Sequence, residues 1–219
     1  MNGRLSAWLE GGDFIKFKGH QIFMRQGGSG PPLLLVHGYP TSSYDWHAVW
    51  DTLSKHYSLI ALDMLGLGFS DKPRQHAYSL LEQADLHEAL LRHRGLRSVL
   101  VMAHDMGVSV VQEMLARRML TNGLPDIKAV VFLNGGVIPE LYQPQFIQRV
   151  LSSPLLYQVR PIRLINGPDD PNSGQHMADG YRQRVPGADI VSLPGTGHWP
   201  QIESPEEVSL HALDFLQRH

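Results

Sequence analysis

The sequence predicts an α/β fold: a mostly parallel central sheet with helices on both faces. Three observations carry that expectation. Short apolar runs such as Leu33–Val36 and Ser98–Ala103 are continuous rather than alternating, as strands buried on both faces are. They alternate along the chain with longer stretches whose apolar residues recur at helical spacing. The chain also has 219 residues, 42% hydrophobic and 18% charged, enough to bury a full core without cross-links.

In chain order, Phe14–Lys18 and Gln21–Arg25 read as a hairpin of two edge strands. Leu33–Val36 and Tyr57–Asp63 follow as buried strands. Ser79–His93 places Leu80, Leu81, Ala84, Leu86, Ala89 and Leu90 at helical spacing. Ser98–Ala103 is a strand that runs almost directly into a helix over Val108–Met119, and Ile127–Leu133 is the next strand. Pro144–Leu151 is a candidate short helix. Ile162–Asn166 is a strand, Met177–Arg184 a helix and Asp189–Leu193 the last strand. Pro205–Arg218 closes the chain as a helix, with Ser204 as its N-cap, proline at its first position and Glu206 and Glu207 in its first turn.

Composition removes several function classes. There is no cysteine, which excludes disulfides, zinc–thiolate sites and thiol catalysis. Nineteen basic residues against 21 acidic ones leave no electrostatic footprint for nucleic acid. No apolar run approaches the ~20 residues of a transmembrane span, and the N-terminus lacks a signal-peptide core. The expectation is a soluble, unprocessed protein, cytoplasmic by default.

In parallel sheets of this kind chemistry sits just beyond the C-terminal ends of the strands. After Ser98–Ala103 come His104, Asp105, Met106 and Gly107, then a helix. A strand turning sharply into a helix projects its turn residue upward, and the residues two positions either side must be small. Ala103 and Gly107 meet that need, and Asp105 holds the nucleophile position. Taken alone, Asp105 reads equally as a helix cap. Leu33–Val36 runs into His37, Gly38, Tyr39 and Pro40, a loop suited to giving backbone donors beside such an elbow. The N–H groups of Tyr39 and Met106 are the expected oxyanion hole, with His37, Gly38, His104 and Gly107 in support. Tyr57–Asp63 leads into DMLGLGFSDKP, which lacks a dinucleotide fingerprint. Ile162–Asn166 leads into GPDDP, where Asp170, with Asp169 as alternative, is chosen to orient a histidine. His198, in PGTGHWP after the last strand, is that histidine. The chain order is then nucleophile, acid, histidine.

Together HGYPTSSYDW, DMLGLGFSDKP, AHDMG, GPDDP and GTGHWPQIESP resemble the α/β-hydrolase superfamily. The likeness is to its Asp-nucleophile branch of epoxide hydrolases and haloalkane dehalogenases. HGYPTSSYDW, ALDMLGLGFSDKP and LNGGVIPE point further to the mesoderm-specific transcript family. The likeness covers almost the whole chain, 1–219, as one hydrolase core. It implies that Asp105 attacks a substrate carbon to form an alkyl ester, which water activated by His198 and Asp170 then hydrolyses. The implied partner is a small apolar substrate. Tyr39, Met106, Trp46, Tyr142 and Trp199 are the substrate-binding candidates. This chemistry needs only side chains and water, and so calls for no metal or organic cofactor.

Two departures from the branch matter. Dehalogenases hold halide with side-chain N–H donors, and Met106 offers none. Epoxide hydrolases protonate the leaving oxygen with tyrosines from a helical cap, which here is reduced to Asn134–Pro161 with Tyr142 and Tyr157 in it. A catalytically weak, ligand-binding member of the fold and an esterase-like or dehalogenase activity are therefore the alternative expectations.

Overall fold

In a computed structural model, residues 3–121, 123–136 and 161–219 are described. Eight strands form one sheet: β1 (Gly12–Phe17), β2 (His20–Gly27), β3 (Pro32–Val36), β4 (Ser58–Leu62), β5 (Ser98–His104), β6 (Asp126–Leu133), β7 (Ile162–Asn166) and β8 (Asp189–Ser192). Their order is β1-β2-β4-β3-β5-β6-β7-β8. The β1–β2 and β2–β4 pairs are antiparallel and the rest are parallel. The described helices are α1 (Gly3–Glu10), α2 (His47–Ser54), α3 (Leu80–His93), α4 (Met106–Leu120), α5 (Gln175–Arg184), α6 (Pro200–Glu203) and α7 (Pro205–Leu216), with a 3-10 turn at Ser43–Trp46.

The period-two geometry of a strand sends successive side chains to opposite faces. In β3, Leu34 and Val36 enter a core under α3 and α4, with Leu86, Leu90, Val108 and Val111. Leu33 and Leu35 enter the other core, under α2 and α7, with Trp46, Val49, Leu53 and Phe215. Both faces are dry, which is why these strands are apolar at every position. Arg163 fastens the far side of the sheet. Its guanidinium donates to Asp189 at 3.0 Å and to Asp214 and the His211 carbonyl at 2.8 Å, tying β7 to β8 and α7.

The sheet order creates the site. β3 lies between β4 and β5, so the chain leaves β3 to one side and returns on the other. The loops after β3 and β5 part there, leaving a crevice at their C-terminal ends.

Most predicted elements are present within a residue or two at their ends, and α4 starts at Met106, directly after the elbow. α1, α2 and α6 were not anticipated. Ser204 stands at the start of α7, but its side chain makes no capping bond. Its hydroxyl pairs with Thr196 Oγ1 at 2.8 Å instead, holding the preceding loop against the helix. The Pro144–Leu151 helix, Tyr142 and Tyr157 lie outside the described residues.

Candidate active site

Asp105 has φ 50° and ψ −120°, a conformation that costs an L-residue ~1–3 kcal/mol. Asp105 and Lys18 are the non-glycine residues at positive φ among those described. Asp105 makes no side-chain capping bond to α4, so capping does not account for it. Its N–H donates to the Asn134 carbonyl at 3.0 Å. The close approach around it explains the small neighbours. A Cβ on Gly107 would strike the carbonyls of Val36 and His37, and one on Gly38 would strike the Asp105 side chain.

The two carboxylate oxygens of Asp105 differ. Oδ1 accepts the Tyr39 N–H at 2.8 Å. Oδ2 lies 3.6 Å from His198 Nε2, beyond hydrogen-bond reach. His198 Nδ1 pairs with Asp170 Oδ2 at 2.8 Å. Asp169, the alternative acid, is exposed.

Asp170 is buried, which opposes its ionisation, but its hydrogen bonds more than offset that cost. Asn134 Nδ2 donates to it at 3.0 Å, the Ser173 hydroxyl at 2.5 Å and the Asn172 N–H at 2.8 Å. With His198 they hold the carboxyl well below the usual carboxylate range. A fixed negative charge at Nδ1 keeps the imidazole proton there and leaves Nε2 as a base.

His37 and His104 support the site from below. His37 Nδ1 donates to the Gly38 carbonyl at 2.7 Å, and Nε2 accepts the Met64 N–H at 3.0 Å. That pairing needs a neutral ring, and burial pushes its pKa down. His104 Nε2 donates to the His198 carbonyl at 2.7 Å, fixing the loop that carries the base. Burial pushes His104 down to about 4.

A cleft of about 390 Å³ opens beside the elbow, lined by Tyr39, Leu65, Leu67, Tyr78, Leu80 and Met106 among others. Its walls are mostly apolar, as a small-molecule site requires. A second cavity of about 460 Å³ lies at the opposite end of the sheet, against Pro32, Ser98 and Lys128 at the strand starts, away from this chemistry.

Of the substrate-binding candidates, Tyr39 and Met106 line the cleft. Trp199 sets its ring edge-on to His198 at 4.7 Å between centroids. Trp46 is a correction: it is wholly enclosed in the core under α2 and α7 and cannot touch a ligand. Its helical neighbours turn it inward, toward Val49 and Leu53, which its spacing from them could have signalled. Tyr142 lies outside the described residues.

The reading by residue type missed Asn134. Its Oδ1 accepts the Gly167 N–H at 2.6 Å, and its Nδ2 donates to the Gly167 carbonyl at 2.9 Å and to Asp170. Its position at the end of β6 was the available signal. Asp63, at the end of β4, was missed too. It accepts the N–H groups of Ser43 at 2.7 Å and Phe69 at 2.6 Å, shaping the glycine-rich turn. Among the described residues no cluster of three or more His, Asp or Glu could hold a metal ion, and no helix is long and apolar enough to cross a membrane.

Residues 31–142 match the sequence profile of a family described as alpha/beta hydrolase fold. The mesoderm-specific transcript homolog protein of Bos taurus is 44% identical over 171 residues, covering 74% of this chain and 51% of that protein. The chain therefore spans about half the length of that relative. A putative hydrolase, LipZ, of Mycobacterium tuberculosis is 33% identical over 280 positions, covering 95% of this chain and 96% of that protein. An alignment of 280 positions exceeds the 219 residues here, so LipZ carries residues with no counterpart in this chain. The solved meta-cleavage product hydrolase of Pseudomonas fluorescens IP01 superposes with a TM-score of 0.78 at 20% identity, covering 96% of this chain and 99% of that one. That likeness concerns the fold.

Proposed function

This chain belongs to the alpha/beta hydrolase fold family, and from that premise we propose that it is a hydrolase working through a covalent ester on Asp105. The observation that carries the reading is the split environment of the Asp105 carboxylate. One oxygen rests on the Tyr39 N–H and the other stands free beside His198.

A carboxylate so placed suits attack at a saturated carbon. Asp105 Oδ2 forms a bond to that carbon as the carbon–heteroatom bond breaks, and the leaving group departs with the electron pair. The product is an alkyl ester of Asp105. His198 Nε2 then takes a proton from water, and the hydroxide adds to the carboxyl carbon. Charge develops on Oδ1, where the Tyr39 N–H already points, and the Met106 N–H at the start of α4 is the second proposed donor. Collapse of that intermediate expels an alkoxide, which takes the proton from His198 to leave as an alcohol. The proton remaining on the Asp105 carboxyl passes to solvent, where it balances the charge of the leaving group, restoring the carboxylate.

The occupied Tyr39 N–H also bears on an esterase-like reading. A carboxylic ester would need that donor for its own carbonyl oxygen, and Asp105 already holds it. The apolar cleft beside Met106 fits a small apolar substrate, with an epoxide of the kind taken by the Asp-nucleophile branch as the first to test.

The test is a single turnover in heavy-oxygen water across a panel of epoxides and haloalkanes. The expected result is label in the peptide carrying Asp105, because water adds to its carboxyl carbon. His198→Gln is expected to trap an adduct of substrate mass. Turnover with an unlabelled peptide and no adduct would overturn the covalent route.

A further inference from the structure

The peptide between Gly38 and Tyr39 has different partners at its two ends. Its N–H donates to Asp105 Oδ1 at 2.8 Å. Its carbonyl accepts the His37 Nδ1–H at 2.7 Å and lies 3.3 Å from the Thr41 hydroxyl. That hydroxyl also pairs with Asp45 Oδ2. A hydroxyl has one proton to give. When Asp45 is ionised its carboxylate takes that proton, and the Gly38 carbonyl keeps His37 alone. When Asp45 is protonated it donates to Thr41 Oγ1, and the Thr41 hydroxyl turns to the Gly38 carbonyl. A second donor on a peptide carbonyl polarises the unit and strengthens its N–H as a donor.

We infer that Asp45 and Thr41 are positioning residues for the oxyanion site, relaying a proton on Asp45 to the Gly38–Tyr39 peptide and so setting how firmly the Tyr39 N–H binds charge on Asp105. The inference deepens the proposed function and rests on its reading of Asp105 as nucleophile and Tyr39 as oxyanion donor.

The surroundings bring the protonation of Asp45 up into the mildly acidic range. The side chain is buried in the 3-10 turn at Ser43–Trp46, and burial pushes its pKa up to about 6 against the opposing bond from Thr41. Asp63 at the end of β4 and Asp105 at the elbow face it and add to the rise, while His198 opposes it. Of the titratable groups on the helices packed against the turn, Asp51 of α2 is exposed and two others are engaged elsewhere. Glu203 of α6 accepts the N–H groups of Gly197 and Trp199, and His47 of α2 pairs with the Tyr44 carbonyl. Protonation therefore removes a negative charge that faces Asp105 and frees a donor for the peptide that binds it. Hydrolysis of the ester, in which charge grows on Oδ1, is the step that gains.

The test follows the Tyr39 amide resonance of nitrogen-15-labelled protein from pH 5 to 8, with no substrate. The wild type is expected to show an inflection near pH 6. Asp45→Asn, whose amide donates to Thr41 at every pH, is expected to hold the low-pH position throughout. Thr41→Val is expected to lose the inflection and Thr41→Ser to keep it. Melting of each variant by circular dichroism confirms that all are folded. An inflection unchanged in Asp45→Asn or Thr41→Val assigns the titration to another group and overturns the relay, as does an Asp45→Asn resonance fixed at the high-pH position. With a substrate in hand, Thr41→Val should slow ester hydrolysis roughly 5-fold below pH 6, where Asp45 holds its proton, the equivalent of one neutral hydrogen bond, and should leave it near wild type well above pH 6. Absence of label at Asp105 with the titration as expected overturns the covalent route alone. Label with no titration overturns the relay alone.

Discussion

Acid should destabilise this protein above the pH at which ordinary carboxylates are protonated, because it buries neutral histidines. His87 and His104 are both pushed from 6.5 down to about 4, chiefly by burial. His37 is shifted in the same direction. The unfolded chain binds these protons around pH 6.5 and the folded one only near pH 4. Stability is therefore complete above about pH 6.5 and falls as pH drops between the two values. From pH 7 to 5 each of His87 and His104 costs roughly 2 kcal/mol at 1.36 kcal/mol per pKa unit. Asp45 acts in the opposite sense. Its pKa is raised from 3.8 to about 6, so its proton stabilises the fold over the same interval by roughly 1 kcal/mol. Asp170 matters only below about pH 4, where the unfolded chain takes up a proton that the depressed carboxyl of the folded state does not. The net loss from pH 7 to 5 is roughly 3 kcal/mol, more with His37 included. The decisive variant is His87→Leu, on α3. His87 Nδ1 bonds the Gln83 carbonyl at 2.7 Å, and Nε2 has no hydrogen-bond partner among the described residues. Leucine should leave stability at pH 7 near or above wild type, since a buried nitrogen without a partner is removed. Urea melts at pH 7 and 5 should show the acid loss reduced by roughly 2 kcal/mol. An acid loss as large in His87→Leu as in wild type would refute the burial argument.

Three further outcomes are expected. Asn134→Leu removes one donor to a buried carboxylate and both bonds to Gly167; it should lower stability by roughly 3 kcal/mol in urea melts and slow ester hydrolysis at least 10-fold. Gly38→Ala drives a methyl group into the Asp105 side chain, so it should melt lower and abolish labelling of Asp105, whereas Gly19→Ala, with open space at its Cβ, should keep labelling. Asp105→Gly relieves a strained backbone worth ~1–3 kcal/mol, so thermal melts should place it at or above wild type while ester formation is lost.

Much of the fold could be read from the sequence because buried parallel strands leave a plain signature. Leu33–Val36 is apolar at every position and Ser98–Ala103 at all but its first, since helices cover both faces, whereas Ile162–Asn166 shows the pattern less cleanly with Arg163 inside it. α2 was harder to see: His47 and Asp51 interrupt its apolar face, and only Val49, Trp50 and Leu53 are buried. Ser204 misled through propensity, because its hydroxyl had a tertiary partner in Thr196 that no local rule contains. Asp105, Asp170 and His198 stood out because each follows a strand and is a residue type with chemistry of its own. Their supports were less visible. Asn134 and Asp63 work through hydrogen bonds to groups distant in sequence, and only their places at strand ends hint at it, while Asp45 pairs with Thr41 four residues before it in a bond that no motif marks. Trp46 was misplaced because an aromatic in a loop motif looks like a pocket wall, although its spacing from Val49 and Leu53 points inward.

Asn134 shows how the two halves of the site are kept in register. Asp105, the proposed nucleophile, stands between β5 and α4, with its proposed oxyanion donor on the loop after β3. The proposed acid and base, Asp170 and His198, stand on loops after β7 and β8. These halves are held by different strands, yet the Asp105–His198 distance has to be set to a fraction of an ångström for proton transfer and attack to alternate. Asn134, at the end of β6 between them, touches both. Its carbonyl accepts the Asp105 N–H at 3.0 Å, and its side chain grips Gly167 at both polar ends and donates to Asp170. A displacement of β6 would therefore move the elbow and the acid together rather than apart. The register of this chemistry rests on one short amide, whose branched shape a leucine shares but whose hydrogen bonds it cannot replace.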